Sequence, residues 1–488
     1  MSYISPTDRS QFVMMNTLDE LVCIDHPVRL IDVLIHGIVR DNPREFGRAT
    51  RGDVGRLEYS PETLLKLYVY GTIHGIRSSR RLERETKRNI EIMWLLGMLS
   101  PDHWTISNYR KEQGEQITFV VQKLQGFLRD HGYITGKRVA VDGSKFKANA
   151  EREMVSLSTI EQRLAKLTEY LAQLEANDVF EGVEEELERV TSTTSTLARE
   201  RQLAEEVTRL RQEVEHLKHQ RRNFEDTKCK IMSPTDPDAK LMRSRDGKIP
   251  AYNVQIVVDE AHKLIAASEV ITEQNDREAL PLMMDVLKEN LGIVPEEILA
   301  DAGYYNPELI EQVEHTHGST CYIPVPHNKK HDPSVLRFTY DEQDDRYICS
   351  QGKPLILFTK NKARRRGIAD GYRGTECAKC PIRTECTTSL RGRTVYRYHN
   401  QHWREGFIKR MGMSEAKARC ACRRSLVEHP FGTIKCLAGK IPLLLRGKLK
   451  VAIEVKLFTL GYNLKRLMNI TPIRELIQLV NMNRWVPA

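Results

Sequence analysis

A chain of 488 residues with 75 Lys and Arg against 66 Asp and Glu, net charge +9, is too long for one compact core and implies several domains. Hydrophobic residues make up 40%, no apolar run approaches the roughly 20 residues of a membrane span, and Met1 to Ser10 has no signal-peptide apolar stretch, so a cytoplasmic protein is expected, with no membrane partner. Ten unevenly spread cysteines argue against a secreted disulfide framework and direct attention to metal binding.

Residues 1–135 read as a helical N-terminal domain. Helices start at Pro27 and at Ser60-Pro61, where a capping serine precedes proline at the first helical position. Two further short helices, near Arg77 and Ser100, open with Arg, Ser and Thr, a composition that suits phosphate contacts and a helix entering the major groove. DNA binding is therefore expected here, although a plain helical bundle has the same periodicity.

In residues 136–150 the apolar run Val139 to Val141 meets Asp142 and Gly143 at once, as in a buried strand that ends by delivering a carboxylate where a metal can reach it. An Asp-Gly turn gives the same local pattern. Ile298-Leu-Ala-Asp301-Ala-Gly repeats the grammar far downstream, and the recurrence points to a shared site.

Residues 151–226 carry two heptad runs, Ile160, Leu164, Leu167, Leu171, Leu174 and Leu203, Val207, Leu210, Val214, Leu217. Asn177, Asp178 and Gly182 interrupt them, which favours an inserted helical hairpin. Its 11 basic and 18 acidic residues make it a poor DNA clamp and suit a spacing or protein-contacting role, with an inert insertion as the equal alternative.

Residues 227–330 turn strand-like. Tyr252 to Asp259 and Leu264 to Ile271 form a hairpin about a turn at Glu260 to His262. Asp276 reads as the cap of a helix from Arg277 to Leu291; a strand at Ile298, a helix at Pro307 to His315 and a strand at Thr320 to Pro324 follow. With the hairpin insert removed, the order is three strands, helix, strand, helix, strand. That order predicts an α/β core of the ribonuclease H-like class, a mixed sheet with helices on both faces, built from residues 136–150 and 227–330.

Residues 331–415 form a small cysteine-rich module. Cys349, Cys377, Cys380 and Cys386 supply four thiolates for one structural Zn²⁺, with Cys420 and Cys422 as competing ligands. Cys23, Cys229, Cys321 and Cys436 read as isolated buried thiols. Residues 351–450 hold 24 Lys and Arg against 6 Asp and Glu, a local +18 that leaves the rest of the chain at −9. Charge of one sign gathered so strongly is the footprint of a polyanion, most simply DNA or RNA. Residues 416–488 read as C-terminal helices that complete the core.

Asp142 in Val-Asp-Gly-Ser-Lys, the run Tyr252-Asn-Val-Gln, Ala-Asp301-Ala-Gly-Tyr and Val-Glu428-His-Pro-Phe-Gly-Thr-Ile-Lys435 together resemble the DDE transposases of bacterial insertion sequences, nearest to the group called insertion sequence eleven-eighty-two. The resemblance extends over nearly the whole chain, the N-terminal helices included. It implies that Asp142, Asp301 and Glu428 are the three catalytic carboxylates, holding two Mg²⁺, with Mn²⁺ as a substitute. Arg424 and Lys435 take the places of phosphate-binding cations, while Ala421 stands where related enzymes have a tyrosine. Glu454 is the competing candidate for the third acid, set in an apolar helix.

The resemblance further implies double-stranded DNA partners, namely terminal inverted repeats and target DNA. It implies cleavage and strand transfer by two-metal phosphodiester chemistry, and a homodimer or higher oligomer acting at the bacterial nucleoid. Two rival expectations are a catalytically inactive transposase relic that binds DNA as a repressor, and a ribonuclease H-like nuclease without strand transfer.

Overall fold

The computed structural model describes residues 17–47, 58–151, 154–184, 207–218, 221–222, 224–225, 231–244, 247–326, 338–364, 367–439 and 442–485, with side chains undescribed at 174–184. Leu203 and Cys229, and the side chain of Leu174, lie outside them. Helices α1 (Leu18–Leu21), α2 (Pro27–Asp41), α3 (Pro61–Ile73), α4 (Ser79–Thr86), α5 (Ile90–Leu96), α6 (His103–Glu112) and α7 (Gly114–Asp130) come first. Side chains fix the starts of α3 and α6: Ser60 Oγ accepts from the Thr63 N–H at 3.1 Å, and Asp102 accepts from the N–H groups of Trp104 and Thr105. Gly97, in the left-handed region at φ 58°, ends α5.

The central sheet contains β1 (Arg138–Lys147), β4 (Lys240–Ser244), β5 (Gly247–Asp259), β6 (Ile265–Ile271), β7 (Glu297–Leu299) and β8 (Thr320–Tyr322). A separate two-stranded ribbon pairs β2 (Val155–Ser156) with β3 (Ile231–Met232). β5 lies antiparallel to β1 and is long enough to carry both β4 and β6 on its other edge; β7 and β8 continue parallel from β1. The order across the sheet is β6, β5, β1, β7, β8. The hairpin falls where its alternation predicts it.

Alternate residues of the strands point to opposite faces, and each face has its own helices. Val139, Val141, Val257 and Ile298 enter one core with α10 (Ala279–Leu291) and α11 (Pro307–His317), and that core runs on without a break into the N-terminal helices. Ala140, Val254, Ile256 and Leu299 enter the other with α14 (Ser414–Ala438) and α15 (Lys448–Ile470).

The inserted segment contains α8 (Leu157–Glu184) and α9 (residues 207–218). Ile160 and Leu217 are buried against Phe224 and Met232, with Leu164 and Leu167 packed alongside, in a cluster apart from both main cores.

The cysteine-rich module is a second, five-stranded antiparallel sheet in sequential order: β9 (Thr339–Asp341), β10 (Arg346–Ile348), β11 (Pro354–Arg364), β12 (Gly367–Gly374) and β13 (Thr394–Tyr398). Tyr347, Leu355 and Tyr372 form its small core, and α12 (Arg383–Cys386) lies between β12 and β13 in the chain. α13 (Gln401–Gly412) leads back to the central sheet, and α16 (Ile473–Met482) closes the chain against α2.

Candidate active site

The register places Ala140 of β1 beside Leu299 of β7, both in the core under α14 and α15. Two residues further along the chain from each stand Asp142, still within β1, and Asp301, two residues past the end of β7. The two strand carboxylates anticipated from sequence are thus neighbours. Asp142 differs from the expectation in one respect: it does not end its strand. β1 runs on to Lys147 because β5 pairs with it throughout, whereas β7 stops at Leu299, so beyond residue 140 β1 keeps only β5 beside it among the described strands.

Gly143 is not a turn glycine either. A Cβ there would come within 2.2 Å of the Gln255 amide nitrogen and 2.5 Å of Asp276 Oδ1, so glycine is what lets a polar cluster pass across the strand. In that cluster Asp276 Oδ1 accepts from Asn253 and Gln255, each at 2.7 Å, and pairs with Lys145 at 3.3 Å. Gln255 in turn accepts a hydrogen bond from the buried Tyr304 hydroxyl. Asp276 therefore does not cap α10, whose first turn has no side-chain cap. It anchors the carboxamides of the Tyr252-Asn-Val-Gln run. Through Gln255 and Tyr304 it holds the 3₁₀ turn Ala302–Tyr304, which Asp301 itself opens by accepting from the Gly303 N–H at 2.8 Å.

α14 lies over the acids. Its inward stripe contains Ala416, Arg423, Leu426, Val427, Pro430, Phe431 and Ile434, at helical spacing, and the helix continues through Pro430 to Ala438. Arg423 is one turn before Val427, and so its guanidinium enters the site. Nη1 is 3.6 Å from Asp142 Oδ1 and Nη2 is 3.5 Å from Asp301 Oδ2. Burial pushes the Asp142 carboxyl up to about 6; Arg423 opposes the shift, and Asp301 and Asp276 add to it.

Glu428 is not brought to the two aspartates. It follows Val427 by one residue, about 100° around the helix, and is 65% exposed in an ion pair with Arg424 at 2.9 Å. Arg424 shares that outer face. Lys435 is also exposed, its Nζ 6.0 Å from the ring centres of Phe146 and Phe431. Glu454 is 3% exposed and has a structural role, accepting from Arg77 at 2.6 Å and from the N–H groups of Leu444 and Leu445. Arg77, read from sequence as a phosphate contact, is consumed inside the fold, while Arg80, Arg81 and Arg84 on α4 remain exposed.

Asp142 and Asp301 suit a hard divalent cation, since Mg²⁺ takes one or two carboxylates and completes its shell with water and phosphate oxygens. Among the described residues no three His, Cys, Asp or Glu side chains are gathered closely enough to hold an ion. Cys349, Cys377, Cys380 and Cys386 do line one cavity of about 30 Å³, together with Leu355, Ile382 and Arg393. Burial raises the Cys386 thiol; Arg393 opposes this, and the other three cysteines reinforce it. Cys420 and Cys422 are on α14, away from that cavity. Cys321 is buried as expected, but Cys23 and Cys436 are exposed.

Sequence reasoning missed Arg423, Asp276 and Tyr304. Only Arg423 left a usable signal, its phase relative to Leu426, Val427 and Phe431.

Two segments of the chain match family models. Residues 16–112 match one described as a transposase domain (DUF772), and residues 348–468 match one described as a transposase DDE domain. The second spans Arg423 and Glu428 but neither Asp142 nor Asp301. Both matches support one class, the DDE transposases. No curated protein matches the chain. Among solved structures it is similar to a piggyBac transposase seen by cryo-EM as a synaptic complex with hairpin DNA, at 10% identity over 94% of this chain and 80% of that one, with a TM-score of 0.30. Among the described residues no helix is long and apolar enough to cross a membrane.

Proposed function

We propose that this protein is a DDE transposase that binds the terminal repeats of its element, cleaves DNA at the ends and joins them to a target. The observation that carries this reading is the approach of Asp142 on β1 and Asp301 just past β7 beneath α14, in a chain with two segments matching transposase domains. The strand order β6, β5, β1, β7, β8, with helices on both faces, supports a ribonuclease H-like core.

A divalent metal, when bound, lowers the pKa of the attacking water or 3′-hydroxyl and neutralises the departing oxygen. Asp142 and Asp301 would hold it, and the Asp276, Gln255 and Tyr304 chain keeps the second aspartate's turn in place. Glu428, which faces away from the two aspartates here, is the proposed third ligand, and Arg424 and Lys435, on the same exposed side of α14, are proposed to meet DNA phosphates.

Incubating the full chain with Mg²⁺ and DNA carrying its own element ends should yield 3′-hydroxyl ends that join a second duplex. Asp142→Asn and Asp301→Asn should abolish cleavage while end-specific binding survives. Cleavage that persists in both variants sinks the reading. Because Glu428 faces outward, a DNA-binding relic without catalysis is the second reading, and it is favoured if the wild-type chain binds ends but never cuts. Cutting without joining favours a nuclease.

The four cysteines around one cavity are proposed to hold a single structural Zn²⁺ that folds the basic module. Purified protein should then carry about one zinc per chain and lose it in Cys380→Ser; unchanged metal content in that variant ends the assignment. A dimer or higher oligomer is proposed because two DNA ends must be handled together, and the cytoplasm is its proposed location.

A further inference from the structure

We propose that Arg423 occupies the place of a divalent cation between Asp142 and Asp301 in the metal-free protein, so that metal enters the site by displacing it. The inference rests on the reading of these aspartates as metal ligands, and it adds a residue that sets how readily they are filled. Each guanidinium nitrogen serves a different acid, at 3.6 Å and 3.5 Å. A tight arginine–carboxylate pair is instead a two-pronged fork to one carboxylate with N to O distances of about 2.8 Å. Here Nη1 is buried and has no hydrogen-bond partner. The contact therefore balances charge without locking geometry.

That balance is needed because two carboxylates set side by side and partly shielded from water repel each other. The nearest other cation on the inner side of α14 is Arg419, one turn away, and it is already paired with Glu297 at 3.1 Å and Glu415 at 3.4 Å. Arg423 is left as the one group stationed to neutralise both acids among the described residues. A fixed positive charge at that position also opposes an arriving cation directly, so displacement and repulsion lower metal affinity in the same direction.

The test is Mn²⁺ binding to the full chain, followed by the electron paramagnetic resonance signal of the free ion, with folding checked by circular dichroism. Arg423→Gln should bind Mn²⁺ at the aspartate site at least about tenfold more tightly than wild type, since the unit positive charge facing both carboxylates is removed. Arg423→Lys, which keeps a cation on a shorter head group, should stay within about threefold of wild type. Arg423→Met, which preserves length and packing, replaces the glutamine variant if that one does not fold. In every case Asp142→Asn added to the variant should remove the bound ion.

Equal or weaker binding by both neutral variants overturns the proposal while leaving the aspartates as ligands. A tighter site that survives Asp142→Asn overturns it as well, because the ion is then elsewhere. If neither wild type nor variants bind Mn²⁺ at millimolar concentration, the metal reading of the aspartates fails and this inference falls with it.

Discussion

Asp142 stands at a place where ionisation is costly, with its carboxyl pushed up to about 6 chiefly by burial. A folded-state pKa raised above the unfolded value of 3.8 means that the folded protein binds the proton more tightly. Asp142 therefore burdens the fold least below about pH 4, and the burden grows as pH rises through about 6. At neutral pH the cost is about 3 kcal/mol in the absence of metal. Asp142→Asn should accordingly melt at higher temperature than wild type at pH 7 with chelator present, and the gap should close by pH 4. Equal melting curves at pH 7 would show that the site is solvated rather than strained. Asp301 and Asp276 on the acid side and Arg423 on the basic side are the charges that tune this shift.

At the scale of an element, α14 shows how one residue of helical phase separates two roles. Arg423 faces the acids, while Arg424 and Glu428 pair on the far side, where an exposed ion pair contributes little, within about 1 kcal/mol. Glu428→Ala should therefore leave the melting temperature nearly unchanged, and any loss of DNA cleavage in that variant reports catalysis rather than folding. Glu454→Ala should behave in the opposite way. It removes the carboxylate partner of Arg77, which is 9% exposed and stays bonded to the Pro442 carbonyl, and leaves two backbone N–H groups without that acceptor, at a cost of about 3–5 kcal/mol. Denaturant unfolding of the two variants separates the cases. A Glu428→Ala protein that unfolds early, or a Glu454→Ala protein that does not, reverses the assignment. The order of the central strands was legible because alternation and apolar runs are local signals. The extension of β1 past Asp142 was not, because it depends on β5 lying alongside.

Across the whole molecule, the N-terminal helices, the sheet and α10 share one core, whereas the described parts of the insert, α8 and α9, close on their own cluster. The ends of the insert are adjacent, for the Glu151 N–H donates to Thr235 at 3.0 Å. Replacing residues 154–232 with a short Gly/Ser linker should leave the remaining protein folded, with a cooperative melt close to that of the full chain and any defect confined to assembly or end pairing. Insolubility of the shortened chain would place the insert in the core instead.

By itself the sequence singled out the candidate residues: two aspartates after apolar runs, four clustered cysteines, a basic segment and two heptad stripes. Each is a local pattern, written by side-chain period and residue type. The tertiary structure decided what those residues face. Asp142 and Asp301 are neighbours through the parallel register of β1 and β7, Asp276 is an anchor rather than a cap, Arg77 is spent on Glu454, and Arg423 rather than Glu428 meets the acids. The physical reason is that hydrophobic period tells a helix or strand which side to bury. The charge, strand or cavity that awaits it there belongs to residues hundreds of positions away.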